Sequence, residues 1–197
     1  MEYIISAGAI IIAYCLGSIS PSTLLARARG MDIKSAGSGN AGTTNALRVL
    51  GKKAALITLS IDILKGVLAV KLGLLLGGEG ISYFCLVAAI LGHIYPAFYS
   101  FKGGKGVAVA FGAILAVNWQ IALICLGIVA LTVLLTRWVS LGSILAAAAF
   151  PILAHFLEPN FTIIGIFPAL LVIYKHKANI IRLIHGEESK IFSKKQP

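Results

Sequence analysis

Long apolar runs constrain this chain more than any other feature of its sequence. Runs of about 20 residues cover residues 4–25, 54–76, 81–100, 120–136 and 139–157. A helix needs about 20 apolar residues to cross the roughly 30 Å of hydrocarbon in a bilayer. Two shorter runs, residues 107–117 and 161–173, cross only if their ends lie in the headgroup region or against a re-entrant loop. The chain is 58% hydrophobic and 12% charged, whereas soluble domains carry about 25% charged residues. We therefore predict an all-α integral membrane protein.

The basic residues predict how the spans are oriented, because Lys and Arg concentrate in the cytoplasmic segments of membrane proteins. Apart from Lys65 and Lys71, the 17 Lys and Arg residues fall in residues 27–53, 102–105, at Arg137 and in residues 175–195. All of these share one side only if the chain is also interrupted at Asn118-Trp119-Gln120. We therefore expect seven transmembrane helices in a single domain over residues 1–197, with the N-terminus outside and the C-terminus inside.

Several kinds of site are not indicated by the sequence. Cys15, Cys85 and Cys125 lie inside apolar runs without metal-ligand spacing, so we interpret them as packing residues. No metal and no cofactor are expected. The net charge of +10 is explained by the topology, so it does not indicate a nucleic-acid partner. A cleavable signal peptide is not expected either, since the first basic residue is Arg27.

The first polar segment, residues 37–48, combines small residues with hydroxyl and amide side chains. These side chains are Ser38, Asn40, Thr43, Thr44 and Asn45. Thr43 or Thr44 is predicted to cap a helix that runs to Leu50. On that helix Asn45 and Arg48 would share a face, and the Arg48 fork suits a phosphate or a carboxylate. A simple cytoplasmic turn with a helix cap is an equally good interpretation of this segment alone.

A glycine loop, residues 102–106, separates two apolar runs and consists of Lys102, Gly103, Gly104, Lys105 and Gly106. Glycines let the backbone approach a ligand and adopt positive φ, and consecutive free N–H groups can form an anion-binding concavity. A helix predicted from Val107 would point its N-terminus at the loop and favour negative charge. The spacing is not that of a Walker A loop. The alternative is a flexible basic linker.

The C-terminal polar segment, residues 176–182, is predicted to form an amphipathic helix that lies in the membrane interface. His176 and Asn179 are three residues apart, so both can face one ligand, and Arg182 lies on the same polar side. A plain interfacial anchor with a solvated basic face is the favoured interpretation of this segment by itself.

Other polar residues lie within or beside the predicted spans. His93 either bonds a neighbouring helix or borders the site, and both interpretations stay open. Asp62 and Lys65 are expected to pair with each other, because lone charges inside a membrane are expensive. Ser140 and Ser143 flank a turn at Arg137 and are candidates to brace the loops or to contact a ligand.

The three polar segments lie on the predicted cytoplasmic side, and together they indicate a site for a small phosphorylated molecule. No Gly-x-Ser-x-Gly elbow and no His-x4-Asp pair occurs, and no carboxylate within the segments is placed as a base. A transporter of a phosphorylated solute would share the basic cavity, but no internal repeat is visible. A non-catalytic scaffold would not need three anion-binding motifs.

Several of these motifs, in this order, resemble those of a known family. They are Gly17-Ser18-Ile19-Ser20, Asp32-Ile33-Lys34 leading into the first polar segment, His93-x-x-Pro96 leading into the glycine loop, Arg137-x-Val139-Ser140-x-x-Ser143 and His176-x-x-Asn179-Ile180-x-Arg182-Leu183. Nearly the whole chain resembles the bacterial membrane acyltransferases that move a fatty acyl group from acyl-phosphate to the 1-hydroxyl of sn-glycerol 3-phosphate.

The resemblance implies an enzyme of phospholipid biosynthesis that makes lysophosphatidic acid in the bacterial cell membrane, with an active site facing the cytoplasm. It implies seven spans and three cytoplasmic motifs. The catalytic residues that it implies are Ser38, Arg48, Lys105, His176 and Asn179. The substrate-binding residues that it implies are Asn40, Thr44, Asn45, Lys102, Gly103, Gly104, Gly106, His93, Ser140, Ser143 and Arg182. Its partners would be glycerol 3-phosphate, acyl-phosphate, the lipid bilayer and the enzyme that produces acyl-phosphate.

The resemblance also implies how the residues divide the reaction. The glycine loop would bind the phosphate of glycerol 3-phosphate, in a clamp completed by Ser38, Arg48 and Lys105. His176 and Asn179 would orient the glycerol hydroxyls. An acyl-phosphate is already activated, so no acyl-enzyme is expected, and a donor phosphate oxygen is expected to accept the proton, with His176 as the competing base. Departures are small: Thr43 replaces a usual Ala, and Lys175 and Lys177 replace frequent Arg residues.

Overall fold

The computed structural model describes residues 1–191, so Lys194 and Lys195 of the basic tail lie outside the described residues. The described chain is all-helical, as predicted. Its helices are α1 Glu2–Ser18, α2 Pro21–Arg27, α3 Thr43–Leu50, α4 Lys52–Ile94, α5 Val107–Val117, α6 Trp119–Thr136, α7 Val139–Leu157, α8 Thr162–Lys175 and α9 Lys177–Ile184, with short 3₁₀ turns at Ala97–Tyr99 and Pro159–Phe161.

The chain divides into two compact units, of which the first covers Met1–Trp119 and the second begins at Gln120. The first contains α1 to α5 and the second contains α6 to α9. Each unit is described by itself below. The single domain expected over residues 1–197 stays a prediction.

Helix α4 is a hairpin rather than one rod. Gly78 has φ 78° and ψ −169°, which is not helical. A Cβ built on Gly73 would lie 2.7 Å from the Cα atom of Ser82, whereas these residues would be about 13 Å apart along a straight helix at 1.5 Å per residue. The chain therefore folds back at Gly78. The two halves correspond to the separate spans predicted at residues 54–76 and 81–100.

Small residues let the other helices of the first unit pack closely on this hairpin. A Cβ on Gly92 would overlap the carbonyl oxygen of Tyr14 in α1, and a Cβ on Gly112 in α5 would overlap the carbonyl oxygen of Ile63. Close backbone approach at small residues is a common way to pack helices in membranes, where apolar burial provides little driving force between helices. The packing brings the end of α1, both ends of α4 and the start of α5 to the same end of the first unit.

The second unit begins with two long apolar helices and ends with a broken one. Helices α6 and α7 are joined at Arg137, which has φ 64°. Helices α8 and α9 meet at His176 and are bent by 53°. Helix α9 has the polar and apolar faces that were expected of residues 176–182, but its Asn179 is buried rather than solvated.

The lengths of these helices limit how many of them can cross a membrane. Among residues 1–191, three helices are long and apolar enough to cross a membrane, and up to five spans result if each bent pair counts as one. The predicted interruption near Asn118 is confirmed, because Asn118 is extended between α5 and α6. Seven spans require in addition that the α4 hairpin crosses twice and that the short α5 crosses. The seven-span topology stays a prediction that rests on those two elements.

Reporter fusions test this topology directly. Because nearly all basic residues are placed on one side, fusions at Asn118 and Asn160 are expected to report an external location, and fusions at Arg29 and Lys102 a cytoplasmic one. A paired alkaline phosphatase and green fluorescent protein scan measures both signals in cells. An external signal from a C-terminal fusion would contradict the orientation of the whole chain.

Candidate functional site

The first polar segment and the glycine loop meet at one end of the first unit. The Lys34 ammonium donates a hydrogen bond to the Tyr99 carbonyl at 3.1 Å, and the Arg27 guanidinium lies over the Tyr99 ring at 5.2 Å from its centroid. Tyr99 closes the short turn that leads into the glycine loop. These contacts join the residues just before the first polar segment to those just before the glycine loop, and they place Arg27 and Lys34 at this end of the first unit.

Asn45 organises the first polar segment from beneath. Its side-chain oxygen accepts the Ser38 N–H at 2.8 Å, and its amide nitrogen donates to the carbonyls of Ile33 and Ala36 at 3.2 and 3.0 Å. Asn45 is only 1% exposed, and these bonds bind it to the backbone of its own loop. Its predicted contact with substrate stays a prediction, but the structure gives Asn45 a structural role. The side chains of Ser38 and Arg48 are exposed at the surface of this loop, and Asn40 and Thr44 are half-buried.

The predicted helix cap is wrong, although the helix is present. Helix α3 begins at Thr43, and Gly42 occupies the N-cap position with extended backbone and no side-chain cap. A capping side chain must stand just outside the helix to reach the first N–H groups, whereas Thr43 and Thr44 are already inside it. The Thr43 hydroxyl oxygen is buried with no hydrogen-bond partner among the residues that the structure describes.

The glycine loop is built onto the C-terminal end of α4. The N–H of Gly103 donates to the Ile94 carbonyl at 3.1 Å, and the N–H of Gly104 donates to the His93 carbonyl at 3.0 Å. These carbonyls belong to the last turn of α4, where helices leave acceptors unsatisfied. The expectation that consecutive loop N–H groups would be free to bind an anion is therefore wrong for Gly103 and Gly104.

The glycines of the loop are required by close packing. A Cβ on Gly103 would overlap the His93 carbonyl oxygen, and a Cβ on Gly104 would overlap Nε2 of the His93 ring. Gly106 has φ 89°, a left-handed conformation that favours glycine. A larger residue at any of these positions would displace the loop from α4.

The anion-binding potential of the loop shifts to its second half. Helix α5 begins at Val107, as predicted, and the N–H groups of its first turn have no acceptor within the helix. Their partial positive charge adds to that of the half-buried Lys105, two residues before the helix begins. Together they form a positive region suited to a phosphate.

A buried network of Asp62, Lys65 and His93 lies behind the loop. Lys65 forms an ion pair with Asp62 at 2.8 Å, which confirms the predicted pairing. Its ammonium also donates to the Ile19 carbonyl at 2.7 Å and to Nδ1 of His93 at 3.0 Å. All three side chains are at most 6% exposed. His93 therefore bonds the other half of the α4 hairpin and also borders the glycine loop, and its predicted contact with substrate stays a prediction.

In the second unit, polar side chains converge on Glu188. Its Oε1 accepts from the Ser140 hydroxyl and the Asn179 amide, each at 2.7 Å, and its Oε2 accepts from the Arg182 Nε at 2.7 Å. The Trp138 indole donates to the Glu188 carbonyl at 3.1 Å. This carboxylate therefore holds the α6–α7 turn and α9 together.

Glu188 is held in its ionised form. Burial by itself would raise the pKa of this carboxyl, but the hydrogen bonds from Ser140, Asn179 and Arg182, together with the Arg182 charge, outweigh burial and lower the pKa below its usual value. A carboxylate with three donors and a lowered pKa is a poor general base. Glu188 thus fixes the orientation of Asn179 and Arg182.

Sequence reasoning missed Glu188. It stands beyond the C-terminal polar segment, among the basic residues of the tail, and its donors lie on two helices. The available signal was a pair of acidic residues, Glu187 and Glu188, in a mostly basic tail. Ser140 and Ser143, predicted to contact substrate, donate their hydroxyls to Glu188 and to the Val139 carbonyl. Their substrate role stays a prediction that would use the hydroxyl oxygens as acceptors.

His176 lies at the bend between α8 and α9 and is 2% exposed. Its Nδ1 is 2.8 Å from the Val172 carbonyl. A carbonyl only accepts, so Nδ1 carries the proton, and in the neutral ring Nε2 is the acceptor nitrogen. This tautomer suits a residue that receives a hydrogen bond from a hydroxyl. The structure thus supplies an orientation for His176 that its sequence position did not show.

Comparisons with known proteins agree with these features. Residues 7–186 match the family model described as glycerol-3-phosphate acyltransferase. The chain is 44% identical to glycerol-3-phosphate acyltransferases of Shewanella sp. (strain MR-4), over 95% of this chain and 94% of that protein, and of Clostridioides difficile (strain 630), over 99% and 98%.

Solved structures share this fold over nearly the whole length of the chain. Two crystal structures of PlsY (YgiH), an integral membrane glycerol 3-phosphate acyltransferase, are 36% identical in sequence and cover 94% of each chain. The TM-score is 0.90 for the glycerol 3-phosphate form and 0.87 for the lysophosphatidic acid form. The similarity extends to sequence, length and fold, and the chain belongs to the glycerol-3-phosphate acyltransferase family of integral membrane enzymes.

Proposed function

We propose that the enzyme transfers a fatty acyl group from acyl-phosphate to the 1-hydroxyl of glycerol 3-phosphate, forming 1-acyl-glycerol 3-phosphate and inorganic phosphate. Family membership supports the acceptor and the product, since the similar crystal structures are of a glycerol 3-phosphate form and a lysophosphatidic acid form. The observation that carries the proposal is the positive region formed by Lys105 and the N-terminus of α5, on a loop that is anchored to α4.

The phosphate of glycerol 3-phosphate is proposed to bind this positive region. Lys105 supplies a full charge, and Gly106 and the first turn of α5 supply backbone N–H groups. Ser38 and Arg48, exposed on the first polar segment, complete the contacts from the same end of the first unit. Asn45 and the Lys34–Tyr99 bond hold that segment in place.

The chemistry needs positioning more than activation. The glycerol hydroxyl oxygen attacks the acyl carbonyl carbon, the bond from that carbon to the phosphate oxygen breaks, and phosphate leaves with the electron pair. No acyl-enzyme forms. Holding hydroxyl and carbonyl together can supply several kcal/mol of the barrier, and cations stabilise the leaving phosphate.

The proton is proposed to pass from the hydroxyl to an oxygen of the donor phosphate. Glu188 already accepts hydrogen bonds from three donors, which supports a route without a carboxylate base. His176, with Nε2 as its acceptor nitrogen, is proposed to orient the hydroxyl, and Asn179, held by Glu188, assists it. General-base catalysis by His176 is the competing route.

The enzyme is proposed to act in the bacterial cell membrane, with its polar segments on the cytoplasmic side. This placement is supported by the concentration of basic residues in the segments between the apolar runs, read with the positive-inside rule. An acyl-phosphate is reactive and lipophilic, so the enzyme that produces it is a proposed partner at the same membrane surface.

A radiolabelled transfer assay tests the proposed function. Purified protein in lipid is given labelled glycerol 3-phosphate with palmitoyl-phosphate, palmitoyl-coenzyme A or palmitoyl carrier protein. We expect labelled lysophosphatidic acid with palmitoyl-phosphate alone, and position-specific lipases should place the acyl group at the 1-position. Transfer from a thioester at an equal rate would contradict the assigned donor.

Replacing His176 separates the two proton routes. If the donor phosphate accepts the proton, His176→Gln should retain measurable transfer with a pH–rate profile of wild-type shape, because the amide still accepts a hydroxyl bond. General-base catalysis predicts instead a loss of about 10²–10⁴-fold. The acidic limb that protonation of a histidine base produces should then disappear. The exposed His185→Gln is the matched control.

A further inference from the structure

The buried network behind the glycine loop does not touch the surface where substrate is proposed to bind. Asp62, Lys65 and His93 are nearly inaccessible to solvent. Buried charges in a membrane protein are costly, and those that occur usually serve a function. The Lys65 ammonium donates to Nδ1 of His93 and to the carbonyl of Ile19 at the end of α1. It also forms an ion pair with Asp62, whose Oδ1 lies 3.5 Å from Nδ1 of His93.

The orientation of the His93 ring follows from the bond to Lys65. Because Lys65 donates to Nδ1, the proton of the neutral ring resides on Nε2. Nε2 is also the ring atom closest to Gly104, where a Cβ would overlap it. The His93 carbonyl meanwhile accepts the Gly104 N–H at 3.0 Å. One residue therefore contacts the loop through both its ring and its backbone, while its other ring nitrogen is fixed by a buried cation.

We infer that the Asp62–Lys65–His93 network positions the glycine loop and thereby sets the affinity for glycerol 3-phosphate, with His93 a positioning residue rather than a substrate ligand. This inference rests on the proposed function of the loop as the phosphate site. The network ties the loop to α1 through Ile19 and to both halves of the α4 hairpin. The His93 ring cannot move away from Gly104 without straining its bond to the buried Lys65, and a buried charge that loses a partner is expensive.

Removing the ring should act on acceptor binding. In His93→Ala the loop loses its contact and Lys65 loses an acceptor, so we expect the KM for glycerol 3-phosphate to rise roughly 10- to 100-fold, as for a misplacement of about 1 Å. The KM for palmitoyl-phosphate should change little. The exposed His155→Ala, a histidine outside the network, controls for loss of an imidazole in a membrane helix.

The two neighbouring glycines provide a sharper test with a matched control. Gly104→Ala places a methyl group against the His93 ring, and Gly103→Ala places one against the His93 backbone carbonyl. His93→Asn places an amide oxygen near the position of Nδ1, and this oxygen can still accept a hydrogen bond from Lys65. The same substitution removes Nε2 and Cε1, the two ring atoms nearest a Cβ on Gly104. We therefore expect His93→Asn to restore much of the glycerol 3-phosphate affinity of Gly104→Ala and none of that of Gly103→Ala.

Three readouts decide the outcome. They are the KM for each substrate, the thermal stabilisation of purified protein by glycerol 3-phosphate alone, and the amount of folded protein from size-exclusion chromatography. An unchanged KM for glycerol 3-phosphate in His93→Ala and Gly104→Ala, with only the folded amount reduced, would overturn the inference. The inference would also be overturned if the KM for glycerol 3-phosphate of the double variant Gly104→Ala, His93→Asn rose by the simple product of the two single-variant factors. If His93→Ala does not fold, the glycine pair alone decides.

Failure of this inference differs from failure of the proposed function. Wild-type protein that transfers no acyl group, or that keeps its affinity when Lys105 is replaced, contradicts the phosphate site itself. An active wild type with a Lys105-dependent KM and unaffected His93 and Gly104 variants contradicts only the positioning role of the buried network.

Discussion

Lys105→Ala is expected to raise the KM for glycerol 3-phosphate about 10- to 150-fold, the range that corresponds to losing one charged hydrogen bond of roughly 1.5–3 kcal/mol. Lys105 stands between Gly104, which is bonded to α4, and Gly106, which begins the turn into α5. Lys105 therefore stands two residues before the N-terminus of α5, where a helix end and a cationic side chain both favour an anion. The measurement is steady-state transfer with each substrate varied in turn.

Two control variants distinguish a specific role of Lys105 from a general effect of positive charge. Lys53→Ala removes the same charge from an exposed position at the start of α4 and should leave the KM within about twofold, since exposed charges interact weakly across solvent. Lys105→Arg keeps the charge and should recover part of the affinity. Near-normal kinetics in a well-folded Lys105→Ala protein would reduce the loop to a linker between helices.

Glu188→Ala is expected to destabilise the second unit by roughly 2–4 kcal/mol, because Ser140, Asn179 and Arg182 lose their common acceptor while two of them remain buried. This loss of stability is smaller than the largest loss expected on breaking a fully buried ion pair, because the Arg182 side chain is 37% exposed. Glu187→Ala, at the exposed neighbouring residue, removes the same charge and should have little effect.

The pH dependence of this stabilisation has a defined sign. The pKa of Glu188 in the folded protein is lower than its usual value because hydrogen bonds and the Arg182 charge outweigh burial. The ionised carboxylate therefore stabilises the fold fully above its unfolded pKa of about 4.3. That stabilisation is lost as the pH falls through the lower folded pKa. The difference in melting temperature between wild type and Glu188→Gln should be constant near neutral pH and shrink under acid conditions.

A local fluorescence signal can follow this transition. The chain has two tryptophans, and the Trp138 indole donates to the Glu188 carbonyl, so in a Trp119→Phe background the emission reports the environment of Glu188. Thermal unfolding is then measured by tryptophan emission from pH 8 down to about pH 3, because the stabilisation is lost only below the unfolded pKa. A Glu188→Ala protein with an unchanged melting temperature would show that the three donors do not depend on this carboxylate.

Much of the helical structure could be predicted because it depends on local sequence. An apolar run long enough to span hydrocarbon is nearly always a helix, since no water is available to bond an exposed backbone. The interruption at Asn118 was predicted from charge alone, and the structure confirms it. The start of α5 directly after the glycine loop was also predicted. The exception was the N-cap of α3, because two adjacent threonines and a glycine competed for one position and the backbone placed glycine there.

The site was predicted less completely because its contacts join distant residues. The glycines were recognised as a possible phosphate loop, yet two of their N–H groups bind the last carbonyls of α4, and only the folded chain brings these together. Asn45 was expected to face a ligand, whereas three backbone groups of its own loop surround it. Whether a polar side chain bonds water, a ligand or the backbone depends on which groups the folded chain places next to it.

The sequence by itself therefore determined the membrane class, the approximate extent of the helices and the three polar segments, since span length, charge distribution and glycine content are properties of short stretches. The tertiary structure alone decided that Lys65 reaches His93 across the α4 hairpin, that His93 supports Gly104, and that Glu188 gathers Ser140, Asn179 and Arg182. Such contacts follow from a reversal at Gly78 and a bend at His176. Buried charges are stable only where folding supplies their partners, and no local pattern specifies which distant residue that partner is.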